Sequence, residues 1–364
     1  MTVAQNMTVK KNLVSFVKFD YKHYLIVKEV VLKTLTSTFF SLLILNIFIF
    51  FYHHQLGKNN PNNITDVVWY PNQFSSNMEE GFSWFSFDKN GFNNAFPVKK
   101  NEIDILIVGS SHIESVYTHK EENMCFFLNR MLPEYYVYNI GIAGHYLPRS
   151  IKNLSDCYNY YKTIKFYLIE TITVQLELDE IKSVLNGRLS KILLDRNKAI
   201  LFIKNYVPTF KSFCKKIVDQ LSLWKERSSM SIFNKNSIFE TSNFDEKGKT
   251  EYCEVLNSFL AFARKSVPDN IPLIIFYHPS YTLQQDGSIK NNTDKWYLES
   301  FEKACKNNNI IFIDTDQDFQ ELYKTKHILP YGFINTKVGV GHLNKYGHEV
   351  IAKRLAKEIT NVLK

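Results

Sequence analysis

The chain has 364 residues, 45% of them hydrophobic and 22% charged, with a formal net charge of +8. That length and apolar content suit a globular protein with one sizeable α/β core and room for additions. The five cysteines (Cys125, Cys157, Cys214, Cys253 and Cys305) are far apart and form no CxxC pair, which leaves no metal or redox motif. They read as small buried thiols, with one or two disulfides as the alternative in an oxidising compartment.

The amino-terminal segment, residues 1–33, carries Lys10, Lys11, Lys18, Lys22, Lys28 and Lys33 against only Asp20 and Glu29. From Thr34 to Gly57 there is no Asp, Glu, Lys or Arg, and the stretch includes FFSLLILNIFIFFY. At about 1.5 Å per residue these 24 residues reach about 36 Å as a helix, enough to cross a hydrocarbon core of about 30 Å. Residues 34–54 are therefore expected to anchor the chain in a lipid bilayer, with a buried core helix as the competing reading. The lysine excess before the span predicts a cytoplasmic amino terminus and an outward-facing remainder. A long charged leader ahead of the apolar run predicts an uncleaved anchor rather than a signal peptide. Leu25 to Leu32 is read either as a short interfacial helix or as a plain lead-in to the span.

Residues 55–100 read as a linker and a small hairpin extension. Lys58 to Thr65 (KNNPNNIT) is polar and turn-rich. Phe82 to Phe87 (FSWFSF) followed by Asn90-Gly91 predicts a hairpin packed on the domain that follows.

Residues 101–364 then alternate in βα fashion. Strands are predicted at 103–108, 136–140, 165–170, 272–277 and 309–313, and helices at 112–130, 148–161, 249–266, 294–307 and 345–363. This pattern predicts a parallel sheet with helices on both faces. Residues 178–247 interrupt it with helical periodicity at Ile181, Val184, Leu185, Leu189 and Ile192, and read as an inserted helical subdomain. The insertion is basic, from Arg188 and Lys191 through Arg196, Lys198 and Lys204 to Arg227. A solvated face or contact with anionic headgroups or an anionic glycan accounts for that charge. Nucleic acid is not expected as a partner, because no binding motif is present.

Two segments carry chemistry. Ile105 to Val108 is a short β-branched run, Gly109 permits a sharp turn and His112 can begin a helix, which puts Ser111 at a strand-to-helix elbow. A hydroxyl there is exposed at the carboxyl edge of the sheet, beside backbone N–H groups able to hold an oxyanion. The bland reading of Ser111 is a helix N-cap. More than two hundred residues on, His342 lies in the loop entering the last helix, a second position at the crevice of an open α/β sheet. Together they supply a nucleophile and a base.

GSSH after a strand, NIGIAG (Asn139 to Gly144) thirty residues later, and GHLNKYGH (Gly341 to His348) before the last helix resemble the SGNH, or GDSL-type, hydrolases over roughly residues 100–364. The resemblance implies a three-layer α/β/α flavodoxin-like fold, here with an amino-terminal transmembrane helix and a helical insertion. Residue by residue it makes Ser111 the nucleophile, Gly144 an oxyanion-hole glycine and His342 the base. Two family features are missing: Gly339 stands where an Asp would precede the histidine, and IETITVQ (Ile169 to Gln175) has no recognisable third-block Asn.

A dyad, or a triad completed from elsewhere, is therefore expected. Asp314, Asp316 and Glu170, each at a strand end, are the candidate carboxylates, and Thr171 or Thr173 the candidate replacements for the Asn. His112, His145 and His278 are candidate crevice residues, with His112 and His278 as substrate contacts. His342 and His348 do not have zinc-ligand spacing, so neither metal nor cofactor is expected.

The resemblance further implies a membrane-anchored serine esterase or O-acyltransferase whose substrate is an O-acylated, in particular O-acetylated, carbohydrate of the cell envelope or a secreted polysaccharide. An acyl-exporting membrane protein is a candidate partner. The alternative is a non-catalytic glycan-binding or assembly factor on a degenerate scaffold of the same kind.

Overall fold

The structure is a computed structural model that describes residues 3–54, 57–97, 100–192 and 245–363. The chain divides into two compact units, Met1–Phe50 and Phe51–Lys364.

The first unit is helical. A single helix, α1, runs from Val3 to Tyr52, and its His23–Phe48 stretch is long and apolar enough to cross a membrane. Leu25 to Leu32 is part of this continuous helix, not a separate interfacial one. Three polar side chains donate back into the helix: Thr34 and Thr36 to the carbonyls of Val30 and Leu32, and Asn46 to that of Leu42. Such internal bonding is what an apolar surrounding demands of polar groups.

The second unit is built on a five-stranded parallel sheet of β6 (Ile105–Val108), β7 (Val137–Asn139), β8 (Phe166–Thr171), β9 (Leu273–Tyr277) and β12 (Ile311–Asp314), ordered β12-β9-β8-β6-β7. β-branched and aromatic residues fill these short strands because both faces are covered. Alternation sorts their side chains between two cores. Leu106, Val108, Tyr167, Ile169, Leu273 and Ile275 face one, while Ile105, Ile107, Phe166, Leu168, Ile274 and Phe276 face the other.

Helices α4 (Leu147–Lys152), α5 (Leu154–Tyr160), α6 (Leu178–Leu185), α7 (Glu246–Lys265) and α8 (Lys295–Asn307) cover the first face. Helices α3 (Met124–Met131), α9 (Asp316–Lys326) and α10 (Lys345–Val362) cover the second. Such a sheet between two helical layers is the α/β/α architecture implied by the motifs.

The expected helix over 112–130 is instead two pieces. A one-turn helix, α2 (Ser111–Glu114), stops at Ser115, which sits in the left-handed region at φ 54°, and α3 begins only after the Asn123 cap. Ser115 is held there by its hydroxyl, bonded to Thr118 Oγ1 at 2.6 Å and to His348 Nε2 at 3.0 Å. The hairpin β10 (Tyr281–Leu283) and β11 (Ile289–Asn291), and α9, have no counterpart in the sequence reading. Of the insertion expected at 178–247, α6 is described; residues 193–244, with Cys214 and the basic run from Arg196 to Arg227, lie outside the described residues.

Residues 57–97 are more ordered than a linker. β2 (Gly57–Asn59) pairs with β3 (Val67–Trp69), and Ile64, Thr65 and Asp66 between them are buried. Three strands, β1 (His53–His54), β4 (Phe74–Asn77) and β5 (Ser83–Ser86), form a second sheet. The expected hairpin pairs in the other direction: β5 pairs with the upstream β4, so its turn is 78–82 and not Asn90-Gly91. Asn90-Gly91 instead belongs to a loop wound on the Asp88 carboxylate, which accepts the N–H groups of Asn90 and Phe92 and the Tyr138 hydroxyl.

Candidate active site

The Ser111 elbow follows from local sequence. β6 ends at Val108, and a Cβ on Gly109 would fall 2.5 Å from the Glu170 carboxylate and 2.5 Å from Ile113, so only glycine lets the chain turn against β8. Ser110 caps α2 through its side chain, and its own N–H donates to Glu170 Oε2 at 2.5 Å. The cap is thus Ser110 and not Ser111, whose hydroxyl is left for another partner.

That partner is His342. Its Nε2 lies 2.8 Å from Ser111 Oγ. Its Nδ1 lies 2.9 Å from Glu80 Oε2, and the same carboxylate oxygen accepts the His342 backbone N–H at 2.8 Å. A carboxylate only accepts, so Nδ1 carries the proton and Nε2 presents its lone pair to the Ser111 hydroxyl. The Tyr117 ring stacks on the imidazole, with centroids 3.9 Å apart and planes 21° apart. Burial, then the nearby Glu80 and Glu114 carboxylates, raises the Tyr117 hydroxyl above its ordinary pKa and keeps it neutral.

The carboxylate at His342 is therefore none of the three expected. Asp314 and Asp316 sit at the end of β12, three strands from β6 and so about 14 Å across the sheet. There Asp316 accepts from Tyr281 and Asn291, and Asp314 is pushed up to about 6, chiefly by burial. Glu170 reaches the elbow but serves it structurally, holding the Ser110 N–H and, at 2.7 Å, His278 Nε2.

Other candidates are also engaged elsewhere. The second nitrogen of buried His278 meets the Tyr331 hydroxyl at 2.7 Å, which leaves no ring nitrogen for a substrate. The Thr171 hydroxyl donates to the Thr173 carbonyl, and the Thr173 hydroxyl to that of Gln175. Neither fills the place of the missing Asn. His112 lies over the His342 ring, with centroids 4.9 Å apart, and its Nδ1 accepts the Leu343 N–H. Burial, then the neighbouring imidazoles of His278, His342 and His348, lowers its pKa well below the ordinary value, so it packs the site as a neutral ring. His145 is buried beside Asp66, accepts that residue's N–H, and is lowered to about 4, chiefly by burial.

Gly144 is near the elbow through its loop. The Ile140 and Ile142 N–H groups bond the Ile107 and Gly109 carbonyls, and Gly141 packs on the backbone of Ile113 and Glu114. Gly144 follows in a tight turn at φ 81°, closed by the His145 N–H on the Ile142 carbonyl. Buried Glu114 holds that turn through the Ala143 N–H at 3.2 Å while accepting the Trp69 indole N–H at 2.6 Å. Its carboxyl is raised to about 7, chiefly by burial. Among the described residues no hydrogen bond is made by the Ser111 or Gly144 N–H. No group of three or more His, Cys, Asp or Glu able to hold a metal occurs among the described residues.

No family model matches the chain, and no curated protein matches it. Solved structures that align with it include a lipolytic protein of the G-D-S-L family from Veillonella parvula, at 13% identity and TM-score 0.37 over 71% of this chain and 98% of that one. An esterase, EstA, from Pseudoalteromonas aligns at 11% identity and TM-score 0.37 over 71% and 98%. The acetyl xylan esterase AlAXEase aligns at 12% identity and TM-score 0.37 over 71% and 100%. Superpositions this loose say nothing about chemistry, which has to be read from the site itself.

Glu80 was the residue missed by sequence reasoning. It lies in MEEG, 262 positions from the histidine it bonds, and precedes the first strand of the parallel sheet. The available signals were the absence of an Asp near His342 and a Glu-Glu pair at a Gly turn between two aromatic runs.

Proposed function

We propose that the protein is a serine-dependent ester hydrolase or O-acyltransferase acting through Ser111, His342 and Glu80. The observation that carries this is the unbroken run of hydrogen bonds from Ser111 Oγ through both His342 nitrogens to the Glu80 carboxylate. As Ser111 Oγ attacks an acyl carbon, His342 Nε2 takes its proton, and the imidazolium so formed is stabilised by Glu80. The Ser111 and Gly144 N–H groups receive the charge developing on the carbonyl oxygen. His342 then protonates the leaving alcohol, and water or a second alcohol takes up the acyl group from Ser111 in the reverse sequence.

The acyl ester is taken to be an O-acetyl group on an envelope or secreted polysaccharide, as the motif resemblance implies. The chain would be anchored by its helical unit with the lysine-rich end in the cytoplasm and the site outside, and an acyl-exporting membrane protein would be the source of acyl groups if the reaction is a transfer.

The test is hydrolysis of an aryl acetate by the full chain in detergent, beside Ser111→Ala and His342→Ala, with mass spectrometry of the protein after exposure to a fluorophosphonate. Turnover and a covalent adduct on Ser111, both lost in the two variants, are expected. A folded protein with neither turnover nor adduct would return the chain to the non-catalytic reading.

A further inference from the structure

We infer that Asn335 is a positioning residue that holds Glu80 against His342, joining the two halves of the site. This rests on the triad reading and adds to it the device that assembles the triad.

The loop that carries His342 is closed on itself. Tyr331 bridges to Leu343, the Gly332 N–H donates to the His342 carbonyl at 2.9 Å, and the Asn344 N–H to that of Pro330 at 3.0 Å. Inside it, Thr336 Oγ1 accepts the Phe333 N–H at 2.7 Å, and the Val340 N–H donates to the Lys337 carbonyl. The Asn335 side chain takes part in none of these bonds. It points instead to the β4–β5 turn. Its Oδ1 accepts the Gly81 N–H at 2.6 Å, and its Nδ2 donates to the Met78 carbonyl at 3.0 Å, with the Glu79 and Gly81 carbonyls at 3.4 Å.

The residues so gripped stand on either side of Glu80. Within the turn the Asn77↔Ser83 pair closes it, and Asn77 Oδ1 accepts the Glu79 N–H at 2.8 Å. The Phe333 ring fits against Gly81 so closely that a Cβ there would lie 2.5 Å from it. One asparagine, seven positions before His342 on the same closed loop, thus fixes the height and angle at which the Glu80 carboxylate meets Nδ1. Removing its side chain leaves the loop's own bonds intact and frees the hairpin tip, so the loss should appear in the Glu80–His342 bond and not in the fold as a whole.

The experiment compares the full chain in detergent with Asn335→Ala, Asn335→Asp, Glu80→Gln and the double variant Asn335→Ala/Glu80→Gln. Three quantities are read: kcat/KM on an aryl acetate, the thermal midpoint, and the low-field proton resonance of His342 Nδ1–H, assigned by its loss in His342→Ala. Asn335→Ala should lower kcat/KM by about 10²-fold, the scale of a misplaced catalytic group. It should also displace or broaden the resonance as Glu80→Gln does, and the double variant should lose no more than Glu80→Gln alone. Asn335→Asp keeps the acceptor for Gly81 but not the donors, and should fall between wild type and Ala. It carries the test if Ala does not fold.

An unchanged resonance and rate in the Asn335 variants, or a double variant whose loss is the product of the two single losses, would overturn the assignment. A wild-type chain without turnover whose resonance is nevertheless lost in Asn335→Ala would keep the positioning role and remove the hydrolase reading, so the two can fail separately.

Discussion

The serine side and the acid side of this site are built in opposite ways. The Ser111 elbow grows out of the central sheet: β6 and β8 flank it, Gly109 has no room for a side chain, and Ser110 is fixed by the buried Glu170. Glu80 hangs on the tip of a small hairpin outside that sheet, where it contacts His342 while Asn335 grips the residues on either side of it. The first is set by its own strand-turn-helix packed against the adjacent strand β8, the second by contacts across more than 250 residues. A nucleophile has to be exposed at one repeatable angle, which a strand-turn-helix supplies. The acid needs only to face Nδ1, and any element that arrives there serves.

The largest effects should separate these sides by size. Ser111→Ala and His342→Ala should each lower kcat for aryl acetate hydrolysis by about 10⁶-fold, because the groups act as a unit. Glu80→Gln keeps the shape of the side chain but no longer holds Nδ1–H against a charge, and should cost about 10³- to 10⁴-fold. Burst kinetics with the full chain in detergent would rank the three. Equal activity of Glu80→Gln and wild type would mean that the hairpin contact is packing without chemistry.

The same contrast explains what could be read beforehand. The parallel sheet was legible because its strands are short apolar runs separated by helical periodicity, and the Ser111–His342 pair was legible because each residue sits in a motif whose spacing is local. Glu80 was not, since nothing in MEEG distinguishes a catalytic carboxylate from a solvated turn. Asp314, Asp316 and Glu170 looked suitable because they end strands, yet strand order, which is not written in any one strand, puts the two aspartates out of reach, and Glu170, which does reach the elbow, is taken up by Ser110 and His278. The break after α2 was equally hidden: it depends on Ser115 meeting His348 from the last helix.

Acid should act on the serine side first. Buried His348 backs the elbow through Ser115, and its pKa is lowered from 6.5 to about 3, chiefly by burial, then by His278 and His342. The unfolded chain therefore binds a proton that the folded one refuses. The contribution is fully present above pH 6.5 and is lost progressively as pH falls toward about 3, by roughly 5 kcal/mol in all. His145, lowered to about 4, adds in the same direction. Denaturant titrations at pH 7 and pH 4.5 should show the fall, and His348→Gln, though less stable at pH 7, should show less of it. An equal pH dependence in that variant would place the acid sensitivity elsewhere.

The smallest effect should come from the acid side, at Gly341. Its φ of 114° lies in the region that side chains avoid, and a Cβ there would stand 2.5 Å from Glu80 Oε2, the atom that accepts both His342 donors. Gly341→Ala should therefore add backbone strain of about 1–3 kcal/mol and push the carboxylate off the imidazole. Gly287, at φ 81° with open space around it in the β10–β11 turn, isolates the first of these. Gly287→Ala should lower the thermal midpoint to a similar degree and leave kcat unchanged, while Gly341→Ala lowers both, with kcat down about tenfold for a displacement of a few tenths of an ångström. If the two variants kept equal activity, Glu80 would be free to follow the loop, and its position would not be set as tightly as the hydrogen bonds from Asn335 require.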